Sequence, residues 1–362
     1  MHNCEIEKLK PKSLIEKLGT TSSKIGVPNW TNFEINFKPD FLEKFNPSSP
    51  KVAILVTNEF EGFSKNGGIG TYYTTLSQKL EKDGWYVILL LCQTEENFQG
   101  EAKFPHVDSV FSTHEAEGVL NLQPIHLSIL AQTQENEISN SFDYESYCCL
   151  FFTQAIIASF PDAVTYIEFP DIWGFGYRTT QAKKTGLLSS SCLIGATTHG
   201  CFEWLREVNS QYSVTNPQWL WLAYHYEQYS YENADVAYFP SYFLKSKLES
   251  YGWVKQGNHL PYFVPIVLPI EEATNSTSTE EFNSPMLLDN GLEEKFPIVF
   301  FGRLEERKGF CTFVEAIKLL NRDVIDKIQI IFIGKIIPLQ SSQYQHLDSQ
   351  QYFEEQLDGY VA

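Results

Sequence analysis

Short apolar runs alternate along this chain with segments whose apolar residues recur at helical spacing. Residues 52–57 are almost entirely apolar, which is typical of a strand buried on both faces of a parallel sheet. The stretch that follows a glycine-containing loop places Leu76 and Leu80 on one helical face, and residues 85–92 predict the next strand. The order strand, helix, strand predicts a βαβ unit.

The same alternation continues as far as residue 251. It predicts three further strands and four further helices, the last of them capped by Ser241. The strands cover residues 163–167, 192–197 and 234–239. The helices cover residues 144–159, a segment rich in Thr, Gln and Lys after Gly174, and residues 217–232 and 242–251. Strands that alternate with helices predict a doubly wound α/β domain, similar to a Rossmann fold.

A second α/β unit follows a polar stretch. Residues 271–295 are rich in Ser, Thr, Glu and Asn and predict a linker. Strand, turn, helix and strand are then predicted over residues 297–333, and after Gly334 the pattern dissolves into polar sequence. The predicted organisation is an extension over 1–50, a first domain over 51–270, the linker over 271–295, and a partial second domain over 296–362.

The charge and cysteine content narrow the classes of function. The chain has 45 acidic and 27 basic residues, a formal charge of −18, which disfavours nucleic acid and anionic lipid as partners but leaves room for a local basic pocket. Its seven cysteines have no metal-binding spacing, and an odd number without a framework indicates a reducing compartment. Neither a signal peptide nor a membrane-spanning run is evident, so the sequence predicts a cytoplasmic protein.

Two loops directly after predicted strands carry candidate ligand-binding residues. The first contains Lys65, Gly67 and Gly68. Glycines between a strand and a helix let backbone N–H groups approach an anion, and the lysine would add a full positive charge. The alternative is a tight turn with a solvated lysine, and the spacing fits neither the dinucleotide fingerprint nor the P-loop.

The second loop contains Arg303 and Lys308, which are expected to flank a crevice at the carboxyl end of the second sheet. A guanidinium and an ammonium group together suit a diphosphate leaving group. The alternative, which this spacing favours equally, is a charged surface turn that caps the following helix.

Three further residues are predicted at the carboxyl ends of strands. His199 follows a predicted buried strand and precedes a glycine, which favours a catalytic over a structural role. Glu168 and Asp171 follow the strand predicted over 163–167. They either contact hydroxyl groups of an acceptor or cap the helix near Gly174, and capping is slightly favoured.

Five motifs, in order, resemble those of retaining glycosyltransferases of family 4 and of glycogen and starch synthases. The resemblance covers about residues 51 to 335. The motifs are Lys65-x-Gly67-Gly68-x-Gly70, residues 167–171 with Gly174-x-Gly176, Thr198-His199-Gly200 with Trp204, Ala234-Asp235 to Pro240-Ser241, and Gly302-Arg303-Leu304-x-x-x-Lys308-Gly309.

This resemblance implies a GT-B fold and transfer of a sugar from a nucleotide-sugar donor to an unknown glycan, lipid or small-molecule acceptor. It places Gly67 and Gly68 near the donor diphosphate or the transferred sugar, and it places Arg303 and Lys308 on the β-phosphate. His199 would bond the transferred sugar. Neither a metal nor a cofactor is expected, because fixed positive groups stabilise the leaving group in such enzymes.

The chain departs from the family after Gly334, where the relatives continue with a Glu-containing donor-binding segment. We therefore expect a second domain that is cut short and an isolated chain with little or no transferase activity. The alternative is a non-catalytic glycan- or nucleotide-binding protein, or a subunit that pairs with a second chain completing the donor domain. A dinucleotide-binding dehydrogenase is disfavoured because Gly-x-Gly-x-x-Gly is absent after the first strand.

Overall fold

The computed structural model describes residues 35–43, 49–63, 67–92, 104, 106–135, 140–208, 218–261, 295–339, 344 and 346–358. Within these residues, seven parallel strands form one sheet and two parallel strands form another. We call the described residues up to 261 the first lobe and those from 295 the second lobe. The predicted linker over 271–295 lies outside the described residues except for Lys295.

The first sheet has the order β3-β2-β1-β4-β5-β6-β7, with every pair parallel. Its strands are β1 (Lys51–Thr57), β2 (Tyr86–Leu91), β3 (Ser109–Ser112), β4 (Val164–Pro170), β5 (Cys192–Thr197), β6 (Val236–Phe239) and β7 (Asn258–His259). The order confirms the predicted doubly wound domain. Because the strand order reverses between β1 and β4, a crevice is expected at the carboxyl ends of these two strands.

Helices cover both faces of this sheet. They are α1 (Pro39–Leu42), α2 (Gly68–Lys82), α3 (Ala116–Val119), α4 (Pro124–Glu135), α5 (Asn140–Ser159), α6 (Tyr177–Lys184), α7 (Phe202–Val208), α8 (Gln218–Asn233) and α9 (Tyr242–Ser250). The Ser241 hydroxyl accepts a hydrogen bond from Leu244 N at 3.2 Å, which confirms the predicted cap of α9.

The central strand β1 shows why these runs form a sheet buried on both faces. Val52, Ile54 and Val56 belong to one hydrophobic cluster, whereas Ala53 and Leu55 belong to another. Successive side chains of a strand point to opposite faces, so one short apolar run supplies two separate cores.

The predicted extension over residues 1–50 is corrected at its C-terminal part. Ile35 and Phe37 are 1% and 2% exposed, and the Phe37 ring stacks on Phe111 at 5.3 Å between ring centroids. Phe37 also forms an antiparallel bridge with Leu120. These residues therefore belong to the core of the first lobe, because their apolar side chains complete one of its hydrophobic clusters.

The second lobe is a βαβ unit with two further helices. Its elements are β8 (Phe296–Phe301), α10 (Phe310–Lys318), α11 (Arg322–Ile325), β9 (Ile328–Ile333) and α12 (Ser349–Leu357). Phe300 and Phe332 pack with Phe310 on one face of the two-stranded sheet. On the other face Val299 is 49% and Phe301 82% exposed.

The expectation that the pattern dissolves after Gly334 is wrong. Ile336 forms a parallel bridge with Leu304, and Pro338 forms an antiparallel bridge with Asp348. Asp348 then caps α12 through a reciprocal capping box with Gln351. The polar stretch still makes a helix because Gln and Glu are good helix formers, and its few apolar side chains complete the core of the second lobe.

None of the helices within the described residues combines the length and apolar character needed to cross a bilayer.

Candidate functional site

The loops that follow β1, β4 and β5 carry most of the predicted site residues. The glycine loop, residues 58–70, joins β1 to α2, and the histidine loop, residues 198–201, follows β5. Glu168 lies within β4 and Asp171 directly after it, so both acids belong to the same end of the sheet. The prediction that His199 lies at the carboxyl end of a strand is confirmed.

A carboxylate of the glycine loop binds two N–H groups at the start of α2. Glu59 Oε2 accepts hydrogen bonds from Gly67 N at 3.0 Å and from Gly70 N at 3.3 Å. Gly67 is the N-cap residue of α2 and has no side chain with which to cap the helix. Glu59 therefore satisfies donors that the helix N-terminus would otherwise leave open.

Glu59 gives a steric reason for the glycine at position 67. A Cβ atom on Gly67 would lie 2.6 Å from Glu59 Oε2, whereas a Cβ on Gly68 would meet nothing within 4 Å. Gly68 is exposed and leaves space beside the loop. Lys65, the predicted cation of this loop, lies outside the described residues.

His199 is a partly buried and neutral imidazole. Burial lowers its pKa from the usual value to about 3, so it carries no charge near neutral pH. Its ring meets the Tyr72 ring edge-to-face at 5.0 Å between centroids and lies 5.9 Å from the Tyr73 ring. Both tyrosines belong to α2, so helix α2 connects the glycine loop to the histidine loop.

Asp171 holds the backbone of the histidine loop. Its Oδ1 accepts from His199 N at 2.8 Å and its Oδ2 from Gly200 N at 3.2 Å, and it also accepts from Ile172 N at 3.0 Å. Burial raises the pKa of this carboxyl to about 6, against the lowering effect of those backbone donors. At 1% exposure, Asp171 orients the loop that carries His199 and caps the turn after β4.

Glu168 is fully enclosed by hydroxyl groups. Its Oε1 accepts from Tyr72 at 2.6 Å and from Thr197 at 2.7 Å, and its Oε2 accepts from Tyr166. Burial raises the pKa of this carboxyl. Glu168 is 1% exposed, and its hydrogen bonds join β4, β5 and α2 into one network that includes Tyr72, whose ring contacts His199. Acceptor contacts by Glu168 and Asp171 stay predictions, and their positions favour orientation of the loops.

Two residues that shape the candidate site, Glu227 and Trp173, are not indicated by the sequence pattern. Glu227 of α8 is 0% exposed and accepts from Trp173 N and Phe202 N, each at 2.9 Å. Trp173 has a φ of 67°, a left-handed conformation rare for a bulky side chain, and it packs on Phe202 at 4.5 Å between centroids. Glu227 thereby fixes the turn after β4 against the start of α7.

The second lobe presents its candidate cations on a more open loop, residues 302–309, at the carboxyl end of β8. The Arg303 side chain is 55% exposed and lies 3.8 Å from Glu305, which Arg307 contacts at 2.6 Å. Lys308 is exposed at the end of a short 3-10 turn, followed by Gly309 with a φ of 81°. Convergence of this loop and the glycine loop on one diphosphate stays a prediction.

Among the described residues, no group of three or more His, Cys, Asp or Glu side chains is arranged to hold a metal ion. The acids near His199 accept hydrogen bonds from backbone N–H and hydroxyl donors instead, as described above for Glu168, Asp171 and Glu227.

Comparison with known proteins identifies the fold. No family model matches the sequence, and no curated protein matches it. Among solved structures, an α,α-trehalose-phosphate synthase (UDP-forming) from Burkholderia xenovorans, in complex with glucose-6-phosphate, matches with a TM-score of 0.50 and 14% identity. The match covers 86% of this chain and 72% of that one.

A second α,α-trehalose-phosphate synthase, from Burkholderia vietnamiensis, has a TM-score of 0.50 and 13% identity over 87% of this chain and 72% of that one. A sucrose-phosphate synthase from Thermosynechococcus elongatus has a TM-score of 0.49 and 16% identity over 86% of this chain and 68% of its own. Residues 1–270 are about three quarters of the 362 residues. The two trehalose-phosphate synthase matches cover 86% and 87% of the chain, so they extend into the second lobe. The chain therefore has the GT-B fold of these glycosyltransferases.

Proposed function

We propose that this chain is a glycosyltransferase that transfers a sugar from a nucleotide-sugar donor. The observation that carries the proposal is the fold match to two trehalose-phosphate synthases, which includes both lobes. The candidate residues support it, because His199 and the 302–309 loop each lie at the carboxyl end of a parallel sheet. That is the end at which open α/β sheets bind ligands.

The chemistry assigns a different task to each lobe. In such a transfer the bond between the anomeric carbon and the β-phosphate oxygen breaks, and negative charge develops on the leaving nucleoside diphosphate. Arg303 and Lys308 are exposed cations that stabilise this charge. His199 is neutral, so its imidazole either donates a hydrogen bond to a sugar hydroxyl or accepts one from it, without adding charge.

The matched enzymes provide the first donor and acceptor to test. One is named as UDP-forming and was solved with glucose-6-phosphate. For this chain we accordingly propose a UDP-sugar as donor and a sugar phosphate as acceptor, with ADP-sugars as the alternative donors. The expectation of little activity from the isolated chain is measured in the same assay.

Calorimetric titration of the purified chain with UDP and with ADP tests the proposal directly. We expect one of the two to bind, and the double variant R303A/K308A to bind it at least tenfold more weakly. Each charge-assisted hydrogen bond to a phosphate contributes about 1.5–3 kcal/mol, which corresponds to this loss or more. Release of UDP from UDP-glucose with glucose-6-phosphate present then measures turnover.

The matched control removes the same charge from the opposite end of the second sheet. Arg322 and Lys327 are exposed and precede the amino end of β9. R322A/K327A should bind the nucleotide as the wild-type chain does. An equal loss of nucleotide affinity in both double variants would show that only the overall charge of the chain matters. If the wild-type chain binds neither nucleotide, the proposed function is contradicted. Binding without turnover would favour the non-catalytic alternative.

A further inference from the structure

Thr57 holds the backbone of Glu59, independently of the contacts that the Glu59 side chain makes. The Thr57 hydroxyl, at the end of β1, accepts a hydrogen bond from Glu59 N at 3.1 Å and donates one to Glu59 O at 2.9 Å. Thr57 is 0% exposed. These two bonds fix the backbone of residue 59 directly after a buried strand, so its carboxylate has a defined position.

The carboxylate then caps a helix from eight residues upstream of the N-cap residue. One oxygen of Glu59 accepts from both Gly67 N and Gly70 N. An acid at this place is favourable because the first N–H groups of α2 carry partial positive charge. Thr71 fastens the same turn from inside the helix, since its hydroxyl donates to Gly67 O at 3.1 Å.

The two glycines of the loop differ in what surrounds them. Position 67 has no room for a side chain, because a Cβ there would lie 2.6 Å from Glu59 Oε2 and 3.3 Å from Glu59 Cδ. Position 68 is exposed and has open space where a Cβ would stand. The requirement for glycine at 67 therefore comes from inside the protein, whereas the surroundings of position 68 do not require a glycine.

We propose that Glu59 is the positioning residue of the glycine loop, and that the ligand passes over Gly68 rather than Gly67. The identity of that ligand as a nucleotide-sugar rests on the proposed function. Because Glu59 already places a negative charge on the helix N-terminus, the diphosphate relies on Arg303 and Lys308, and the glycine loop contributes shape and the backbone of Gly68.

The test is a set of substitutions measured for stability and for nucleotide binding. All seven tryptophans precede residue 254, so tryptophan fluorescence during heating follows the first lobe. E59A should lower the Tm of the first lobe by several degrees, and E59Q, which keeps an oxygen acceptor, should recover most of the loss. G67A should lower it in the wild-type background and by less than half as much in the E59A background.

Binding of UDP and ADP provides the readout that a purely structural role would not change. G68A should keep the wild-type Tm, since alanine is favourable in a helix, yet bind the nucleotide at least tenfold more weakly. E59A should also bind at least tenfold more weakly, and E59Q within threefold of the wild-type chain. G118A, at a glycine whose Cβ would meet nothing within 4 Å in α3, is the matched control for stability and binding.

The possible outcomes separate this inference from the proposed function. If the wild-type chain binds neither nucleotide, the proposed function and the role of Gly68 both fail, while the coupling between G67A and E59A in Tm still decides the role of Glu59. If the wild-type chain binds and G67A weakens binding equally with and without Glu59, position 67 faces the ligand and the inference is overturned. Tighter binding by E59Q than by the wild-type chain would show that Glu59 repels the ligand, and would also overturn the inference.

Discussion

The loops at the carboxyl ends of the two sheets are held in opposite ways. In the first lobe, buried or partly buried acids accept hydrogen bonds from the backbone of each loop: Glu59 binds the glycine loop, Asp171 the histidine loop and Glu227 the turn after β4. In the second lobe, Glu305 instead accepts a hydrogen bond from the Arg307 side chain and forms an ion pair with Arg303 at 3.8 Å. The first lobe thus holds its loops by buried or partly buried acids, whereas the cations Arg303 and Lys308 of the second lobe are exposed.

The strands of the first sheet are also more deeply buried than those of the second. The six residues of β2 are all buried, whereas β8 has four exposed residues in six. A lobe whose sheet is covered on both faces can hold strained and crowded turns, because the surrounding packing compensates their cost. Variants of matched positions in the two lobes measure this difference. No tryptophan follows residue 253 in the sequence, so tryptophan fluorescence does not report the second lobe.

The largest effect is expected from removal of a buried acid. D171A leaves the N–H groups of residues 172, 199 and 200 without their acceptor at a site that is 1% exposed. Each orphaned buried donor costs about 1–3 kcal/mol, so the free energy of unfolding of the first lobe should fall by about 4 kcal/mol. Fluorescence-detected urea unfolding measures the change.

The matched substitution in the second lobe is E305A. Its partners are arginine side chains that reach solvent, so we expect a loss of about 1 kcal/mol or less, measured by calorimetry. Equal losses for D171A and E305A would remove the distinction between the two lobes.

The next largest loss of stability is expected from alanine substitution of a glycine with positive φ. Gly174 has a φ of 61°, and a Cβ there would lie 2.3 Å from Tyr226 Cβ and 2.8 Å from its carbonyl carbon. Gly309 has a φ of 81°, but its Cβ would meet nothing within 4 Å. G174A should therefore cost about 3 kcal/mol from strain and overpacking together, and G309A about 1 kcal/mol from strain alone. Unfolding of each variant, followed by fluorescence and by calorimetry, tests the difference.

These positions also show what the sequence could and could not predict. Five of the seven strands of the first sheet were predicted because buried parallel strands leave apolar runs, whereas the short strands β3 and β7 were missed. His199 was placed correctly because it follows such a run. Glu59 and Glu227 leave no periodic signal, since each acts through hydrogen bonds to backbone groups 8 to 54 residues away. Helix α12 was missed because its apolar residues are sparse, and only packing against α10 makes them a core.

A smaller, pH-dependent effect is expected from His199. Its pKa of about 3 in the folded state lies below the value of about 6.5 for an unfolded chain. Between these pH values the unfolded state binds the additional proton, so this group makes the first lobe less stable as the pH falls. Asp171, with a raised pKa of about 6, acts in the opposite direction below that pH.

Comparison with H199Q isolates the histidine, because Asp171 is present in both proteins. The Tm difference between wild type and H199Q, from fluorescence-detected melting, should become less favourable to wild type as the pH falls from 7 to 4. A difference that does not change with pH would show that His199 is solvated and titrates normally.

The smallest effect on stability is expected where the largest effect on binding is proposed. Lys308 is exposed, and no ion pair joins it to another described residue. K308M should therefore change the free energy of unfolding of the second lobe by no more than about 0.5 kcal/mol in calorimetry. A larger loss would mean that Lys308 stabilises its own loop, in the manner of the acids of the first lobe. An unchanged unfolding profile with weakened nucleotide binding would show that the second lobe keeps this cation for its ligand alone, which is the arrangement that the contrast between the lobes predicts.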